Sequence, residues 1–285
     1  MLNKEQTTTI QLKNNTSLDI TIFKAKISDA SVLIIYPAFG VVASYYQRFA
    51  KQLSEKGITV VTVDLHGHGL SSVHPSKQNN YGFLEMLEDL KAVSDYLRQT
   101  NPQSKVYILG HSLGGQTASL AVAKYPNKFA GLATIGSPNV YFKGWSGVHY
   151  YRRKILVGLL PIFGRIISFL PMVKIGGYYT TPKQIKEWGY TGKTGKFKVI
   201  GDNLDYEKAM KAVTIPVLAI DIEGDLMAPQ KAIINLYQKF KNTSALSTYT
   251  LTKVATSSKL SHINWPHRAT NLMVQIIHDW VYKHK

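Results

Sequence analysis

The stretch Lys105-Val106-Tyr107-Ile108-Leu109-Gly110-His111-Ser112-Leu113-Gly114-Gly115-Gln116 decides the fold of this chain. Its first part is a short apolar run, the pattern of a strand buried on both faces. Its end leads into a helical pattern from Gln116 to Lys124, closed by Tyr125-Pro126. Between the two, Gly110-His111-Ser112-Leu113-Gly114 fits G-x-S-x-G. That motif carries chemistry when a strand precedes it and a helix follows, as here. The sharp reversal strains the serine backbone and pushes its hydroxyl into a cleft. Flanking glycines let neighbouring backbone pass without a side-chain clash. Gly115 adds another small residue at the helix start. That helix end supplies oriented N–H groups and a positive dipole end towards developing negative charge. Ser112 is therefore the candidate nucleophile, and His111 is expected to support the turn.

Outward from this turn, strand and helix signals alternate. Thr7 to Leu12 and Leu18 to Lys24 predict an antiparallel hairpin, with turn residues Asn14 and Asn15 between them. Ser31 to Tyr36 and Ile58 to Val63 are short apolar runs suited to buried strands. Between them, Tyr46, Phe49, Ala50 and Leu53 recur at helical spacing before Gly57 stops the pattern. Phe83 to Arg98 reads as an amphipathic helix and Lys128 to Ile135 as a further strand. The rhythm resumes with a strand at Val217 to Ile222 and a helix near Gln230 to Phe240. A strand near Ser247 to Val254 and a final helix near Thr270 to Tyr282 complete it. Repeated strand–helix units predict an α/β fold, with a mainly parallel eight-stranded sheet and helices on both faces.

Residues 139 to 205 interrupt this rhythm. They are rich in Gly, Pro, Tyr and Lys and lack a clean strand–helix alternation. They are expected to form a cap over the C-terminal edge of the sheet, where the sites of such folds lie. The core domain is then 1–138 with 206–285, and the cap is 139–205.

The segment also concentrates charge. The chain of 285 residues has a formal net charge of +17. Between Asn139 and Ile200 there are 11 Lys or Arg and one acid, Glu187. A basic, aromatic and apolar segment of this kind suggests contact with something anionic. An anionic membrane surface or amphiphile suits it better than nucleic acid, for which no motif is present. Ile155 to Ile175 is the most apolar stretch. Pro161, Gly164, Arg165, Pro171 and Lys174 interrupt it, so it falls short of a spanning helix. The N-terminus has no apolar run after its charges and does not read as a signal peptide. There is no cysteine, which excludes disulfides, a cysteine nucleophile and cysteine-ligated zinc. A cytoplasmic location is expected.

A serine hydroxyl is a weak nucleophile. It needs a base within hydrogen-bond reach, and the base needs an orienting carboxylate. Asp225, in Ile222-Glu223-Gly224-Asp225-Leu226, sits at a Gly-Asp turn after the strand ending at Ile222. Asp221 and Glu223 are its rivals. Asp221 lies inside the apolar run, and Glu223 precedes the turn glycine. After the strand ending at Ile135 stands Ser137-Pro138-Asn139, with no acid. His262, in Lys259-Leu260-Ser261-His262-Ile263, lies between the last strand and the last helix, where the base is required. His267 is the nearest rival, beyond Pro266. His66 and His68 show an i, i+2 spacing, but no further ligand pattern makes them a metal pair. No metal or other cofactor is expected. The oxyanion hole needs two backbone donors. One is the N–H of Leu113. The other is expected in Pro37-Ala38-Phe39-Gly40-Val41, with Phe39 favoured and Ala38 the alternative.

These residues together resemble the α/β-hydrolase superfamily, in particular its monoacylglycerol-lipase-like and serine-aminopeptidase-like branch, and the match covers most of the chain. Asp64-Leu65-His66-Gly67-His68-Gly69-Leu70-Ser71 is similar to that branch's D-x-R-G-x-G-x-S loop, with His66 where arginine is usual. Pro37-Ala38 stands where the branch places His-Gly at the oxyanion loop. Pro37 to Val41, Tyr45-Tyr46, Phe49-Ala50 and Pro182 to Trp188 are similar to a bacterial group of predicted hydrolases. The resemblance implies ester, thioester or amide hydrolysis without a cofactor.

The leading expectation is a serine hydrolase cleaving a small acyl ester or a lysolipid-like ester through an acyl-enzyme on Ser112. Ile155 to Leu160 and Ile166 to Leu170 would line the acyl pocket or rest on a membrane. An acyltransferase using the same intermediate and a non-catalytic, membrane-associated binding module are the alternatives. Aminopeptidase chemistry is disfavoured, because residues 139–200 hold one acid to receive a substrate ammonium. Dehalogenase chemistry is disfavoured, because the nucleophile position is serine.

Overall fold

The computed structural model describes residues 5–12, 16–27, 29–74, 79–166, 170–171, 179–256 and 259–285; for 160–166, 170–171 and 179 it describes the backbone alone. The turn residues Asn14 and Asn15 and, within the stretch Ile166 to Leu170, residues 167–169 lie outside the described set.

The strands are β1 (Glu5–Gln11), β2 (Ser17–Phe23), β3 (Val32–Tyr36), β4 (Thr59–Val63), β5 (Val106–His111), β6 (Gly131–Ile135), the short pair β7 (Leu170–Pro171) and β8 (Tyr179–Thr180), β9 (Val217–Ile222) and β10 (Leu246–Leu251). The helices are α1 (Gln47–Glu55), α2 (Phe83–Thr100), α3 (Leu113–Lys124), α4 (Gly147–Ile166), α5 (Pro182–Thr194), α6 (Tyr206–Ala212), α7 (Gln230–Tyr237), α8 (Lys253–Thr256), α9 (Trp265–Arg268) and α10 (Thr270–Lys283).

Eight strands form one sheet in the order β1-β2-β4-β3-β5-β6-β9-β10. The β1–β2 and β2–β4 pairs are antiparallel, and every later neighbour pair is parallel. Alternate strand residues feed the two faces. Val32, Ile34 and Tyr36 of β3, with Val106 and Ile108 of β5, enter the core layer that includes Leu87 and Leu90 of α2 and Leu120 of α3. Leu33 and Ile35, with Tyr107 and Leu109, enter the opposite layer, with Leu53 of α1 and Ile277 of α10. Burial on both faces is why these strands read as continuous apolar runs. Each buried aliphatic side chain contributes roughly 1.5–3 kcal/mol.

The topology positions the site. From β3 the chain crosses through α1 to β4 on one side. It then returns through α2 to β5 on the other side, paired with β3 from Val32↔Val106 to Tyr36↔Gly110. The strand order therefore reverses about β3. The loops leaving β3 and β5 diverge there, and such a crevice is where ligands bind in open α/β sheets.

Several boundaries differ from expectation, among them the end of β10 at Leu251 rather than near Val254, which lies in α8. Helix α3 begins at Leu113, directly after Ser112, rather than at Gln116. Strand β6 begins at Gly131 rather than Lys128, after a turn closed by Lys128 N–H donating to the Tyr125 carbonyl. The larger difference lies in 139–205, which was expected to be irregular and carries two substantial helices. Helix α4 continues through Pro161. Helix α5 is framed by strong local signals: Thr181 accepts from the Gln184 N–H, Pro182 opens the first turn, and Gly195 ends it at φ 73°. The two helices pack closely where Gly192 meets Val157; a Cβ on Gly192 would lie 2.3 Å from a Val157 methyl. No described helix is long and apolar enough to cross a membrane.

Candidate active site

The turn between β5 and α3 is as tight as the motif demands. Ser112 takes φ 53° and ψ −115°, one of two non-glycine residues with positive φ among those described. Such a conformation costs on the order of 1–3 kcal/mol and persists when its surroundings over-determine it. Here they do. The Ser112 N–H donates to the Ile135 carbonyl, extending the β5–β6 ladder into the turn. A Cβ on Gly110 would lie 2.4 Å from the Gly115 Cα, and a Cβ on Gly114 would lie 2.2 Å from the Tyr36 carbonyl oxygen. Close approach therefore requires these glycines. The second contact also sets the start of α3 against the loop leaving β3.

Three side chains far apart in sequence meet at this edge. His262 Nε2 lies 2.9 Å from Ser112 Oγ. His262 Nδ1 lies 2.6 Å from Asp225 Oδ2. The carboxylate accepts at that second distance, so Nδ1 carries the proton and Nε2 presents its lone pair to the serine hydroxyl. Asp225 is held from behind, since its Oδ1 accepts from the N–H groups of Met227 at 2.8 Å and Ala228 at 3.2 Å. Its rivals are engaged elsewhere. Asp221 accepts from Thr250 Oγ1, and Glu223 accepts from the Lys253 N–H. His267 packs edge-on against Tyr45 with ring centroids 4.5 Å apart.

The loop after β3 is pinned by its amides. Ala38 N–H donates to Tyr46 Oη at 3.2 Å, Gly40 N–H to His68 Nε2 at 3.2 Å, and Ala43 N–H to Asp64 Oδ1 at 2.7 Å. Ala38, the alternative oxyanion donor, has its N–H committed. The N–H groups of Phe39 and Leu113 donate to no acceptor among the described residues, and both residues border the cavity beside Ser112.

His111 ties these parts together. Its Nε2 is 2.9 Å from the His262 carbonyl, which can only accept, so Nε2 holds the proton. Its Nδ1 then accepts from Tyr46 Oη, 2.7 Å away, and that oxygen accepts in turn from Ala38 N–H. One directed chain thus runs from the loop after β3, through the elbow, to the backbone of His262. Burial, reinforced by the proximity of His262, holds the His111 imidazole well below its ordinary pKa, so it is neutral at neutral pH. Sequence reading gave His111 the turn alone. Its reach to Tyr46 and His262 depends on contacts across 65 and 151 residues.

His66 and His68 face different partners. His66 Nδ1 is 2.8 Å from Asp89 Oδ2 of α2. Burial pulls the His66 pKa down, but the Asp89 carboxylate outweighs it and the net shift is upward. His66, bonded to Asp89, stands at the position where the loop it resembles has arginine. His68 donates from Nδ1 to the His66 carbonyl and receives Gly40 N–H at Nε2; burial lowers its pKa to about 4. Among the described residues no group of three or more His, Asp or Glu is arranged to hold a metal ion.

A cavity of about 220 Å³ opens beside Ser112 and His262. Phe39, Trp145, Leu156, Val157, Trp188 and Met227 form most of its wall, and Arg153 is the one permanently charged residue on it. Sequence reading singled out none of the aromatic and charged wall residues Trp145, Arg153 and Trp188 individually. Glu187, the one acid of the basic segment, faces inward. It accepts from the N–H groups of Phe83 at 2.8 Å and Ile200 at 2.7 Å, and burial raises its pKa to about 7.

Comparison with known proteins agrees with this fold. Residues 31–161 match a family model described as the α/β hydrolase fold. A bifunctional esterase/perhydrolase of Acinetobacter calcoaceticus is 26% identical over 192 residues, 61% of this chain and 67% of that protein. A monoglyceride lipase of Rattus norvegicus is 26% identical over 242 residues, 83% of this chain and 77% of that one. A monoacylglycerol lipase structure from Paleococcus ferrophilus superposes with a TM-score of 0.67 at 16% identity, covering 94% of this chain and 99% of that one. The sheet, the strained serine turn and these likenesses together make the chain a hydrolase of the α/β-hydrolase fold.

Proposed function

We propose that this protein cleaves a carboxylic ester through an acyl-enzyme on Ser112. One observation carries the reading: Ser112, His262 and Asp225 form a continuous chain of short hydrogen bonds at the mouth of an apolar cavity. Ser112 Oγ attacks the carbonyl carbon while its proton passes to His262 Nε2. The new oxyanion is received by the N–H groups of Phe39 and Leu113. Each such donor can be worth roughly 3 kcal/mol in the transition state. As the tetrahedral adduct collapses, the bond to the alcohol oxygen breaks and His262 returns the proton to the leaving alcohol. Water then gives its proton to His262 and attacks the acyl carbon. The acid departs as Ser112 recovers its proton. Asp225 keeps His262 in the required tautomer and stabilises the imidazolium. A fluorophosphonate probe tests this reading: it should label the wild type and leave Ser112→Ala unlabelled. Equal labelling of both proteins would refute it.

In the same reading, residues 139–205 act as the lid, with Val140, Trp145, Leu156, Val157 and Trp188 forming one side of the acyl pocket. The outer side of α4 favours contact with an anionic membrane. Val148, Tyr151, Ile155 and Leu159 are exposed at helical spacing, with exposed Arg152 and Lys154 beside them. Flotation with phosphatidylglycerol vesicles should carry the protein up at low salt, and phosphatidylcholine vesicles should do so far less. No difference between the two would remove the membrane contact from the account.

A further inference from the structure

Arg153 stands in the cavity without a counter-ion. Its guanidinium lies 4.4 Å from the Trp145 ring centroid, on the same wall that borders Ser112 and His262. Trp145 is itself fixed, since it is buried and its Nε1–H donates to the Leu226 carbonyl at 3.0 Å. Among the described residues no carboxylate pairs with Arg153 and no acceptor takes its N–H groups. The residues outside the described set include neither Asp nor Glu.

An arginine remains charged at neutral pH even when partly buried, and its planar fork offers five donors. Stacking on Trp145 satisfies a face of the guanidinium and none of those donors. Placing an unpaired cation against an apolar wall carries a desolvation cost that a Leu or Met would avoid. The surroundings point the same way. The basic segment has 11 Lys or Arg against one acid, Glu187, whose oxygens are taken by backbone N–H groups. That excess of cations in the segment carrying Arg153 favours anions over cations as partners.

We propose that Arg153 is an anion subsite of the substrate pocket, and that the preferred substrate is an ester carrying a second, anionic group, a carboxylate or a phosphate, away from the scissile bond. This rests on the ester-hydrolase reading in naming a substrate, while the subsite itself is measurable without turnover. A charge-assisted, bidentate contact replaces the missing counter-ion when substrate is bound. Neutral monoacylglycerols would leave it unmade.

The direct test is calorimetric. Hexyl phosphate and hexanoate, neither a carboxylic ester, are titrated into wild type, Arg153→Gln and Arg153→Lys, each checked for folding by circular dichroism. Wild type should bind at least one of the two about 10- to 100-fold more tightly than Arg153→Gln, with Arg153→Lys between. Which probe binds separates the carboxylate source from the phosphate source. The kinetic arm compares kcat/KM for 4-nitrophenyl hemiadipate and 4-nitrophenyl hexanoate, which differ by a terminal carboxylate, and for monoacylglycerol phosphate and the neutral monoacylglycerol. The anionic-to-neutral ratio in at least one pair should fall about 10-fold or more in Arg153→Gln. Equal affinity of wild type and Arg153→Gln for both probes, with unchanged ratios, overturns the subsite even if Ser112 takes a fluorophosphonate label. Arg153-dependent binding without any labelling of Ser112 would sink the hydrolase reading and leave the subsite standing.

Discussion

The turn around Ser112 and the segment 139–205 meet at one cavity but are built on opposite lines. Around the serine, the reacting and positioning side chains have directed partners. Asp225 is anchored by two amides, and His111 bridges Tyr46 and the His262 carbonyl. Amides of the loop after β3 are committed to Tyr46, His68 and Asp64. In the segment above, α4 exposes Tyr151 and Ile155 at 65% and 63%, and Arg153 has no acid to pair with. The contrast teaches a division of labour. The sheet edge holds reacting atoms at fixed distances, which chemistry requires. The segment above leaves apolar and cationic surface unsatisfied, and unsatisfied surface is what recognises something else.

Substitutions can break this contrast. The largest effect is expected at the serine. Ser112→Ala should lower kcat/KM for 4-nitrophenyl butyrate by about 10⁴-fold or more while leaving the thermal midpoint near that of wild type, because triad members act as a unit. A loss below tenfold would move the chemistry elsewhere.

The next effect tests the one buried acid of the segment. The Glu187 pKa of about 7 lies above its ordinary 4.5. Between those values the folded chain holds this proton more tightly than the unfolded chain. Its contribution to stability is therefore full below about 4.5 and is lost as pH rises through 7, on the order of 3 kcal/mol in total. His66, also raised, adds a loss of the same sign above 6.5. Urea midpoints should fall from pH 5 to pH 8 in wild type and fall less in Glu187→Gln. Parallel slopes would contradict the account.

A smaller effect probes the elbow's wiring. Tyr46→Phe leaves the Ala38 N–H and His111 Nδ1 buried and unpaired, at about 2 kcal/mol of stability. It should also lower kcat several-fold with little change in KM, because the amide next to Phe39 loses its anchor. A change in KM alone would show that this chain of bonds does not set the reacting geometry.

The smallest effect belongs to the outer face of α4. Ile155→Asn should change stability by less than about 0.5 kcal/mol, since the side chain is exposed. A loss above 2 kcal/mol would mean that this face is packed rather than presented.

How much of this was legible in the sequence follows from the same contrast. Strands β3, β4, β5, β6 and β9 could be read because burial on both faces leaves an unbroken apolar run. The elbow could be read from its motif, although only Gly110 answers to backbone a few residues away; Gly114 meets the Tyr36 carbonyl and Gly115 the Ser137 side chain. Asp225 and His262 could be placed from chain order, since each must follow a strand at the same edge. Nothing within Pro37 to Val41 tells which amide of Ala38 and Phe39 is free, because the partner of the Ala38 N–H is Tyr46 Oη on another element. His66 beside Asp89 pairs distant elements, and Arg153 meets Trp145 across the turn into α4; no residue pattern announces either contact. Helices α4 and α5 were obscured by Gly, Pro and Tyr, although Thr181, Pro182 and Gly195 are ordinary helix start and stop signals.

The most direct test of the central claim is intact-protein mass spectrometry after fluorophosphonate treatment, followed by peptide mapping, on wild type and His262→Ala. The account expects one adduct on the peptide containing Ser112 in wild type, and a rate lower by at least about 10³-fold when the imidazole is removed. An adduct on another residue, or equal rates in the two proteins, would contradict it.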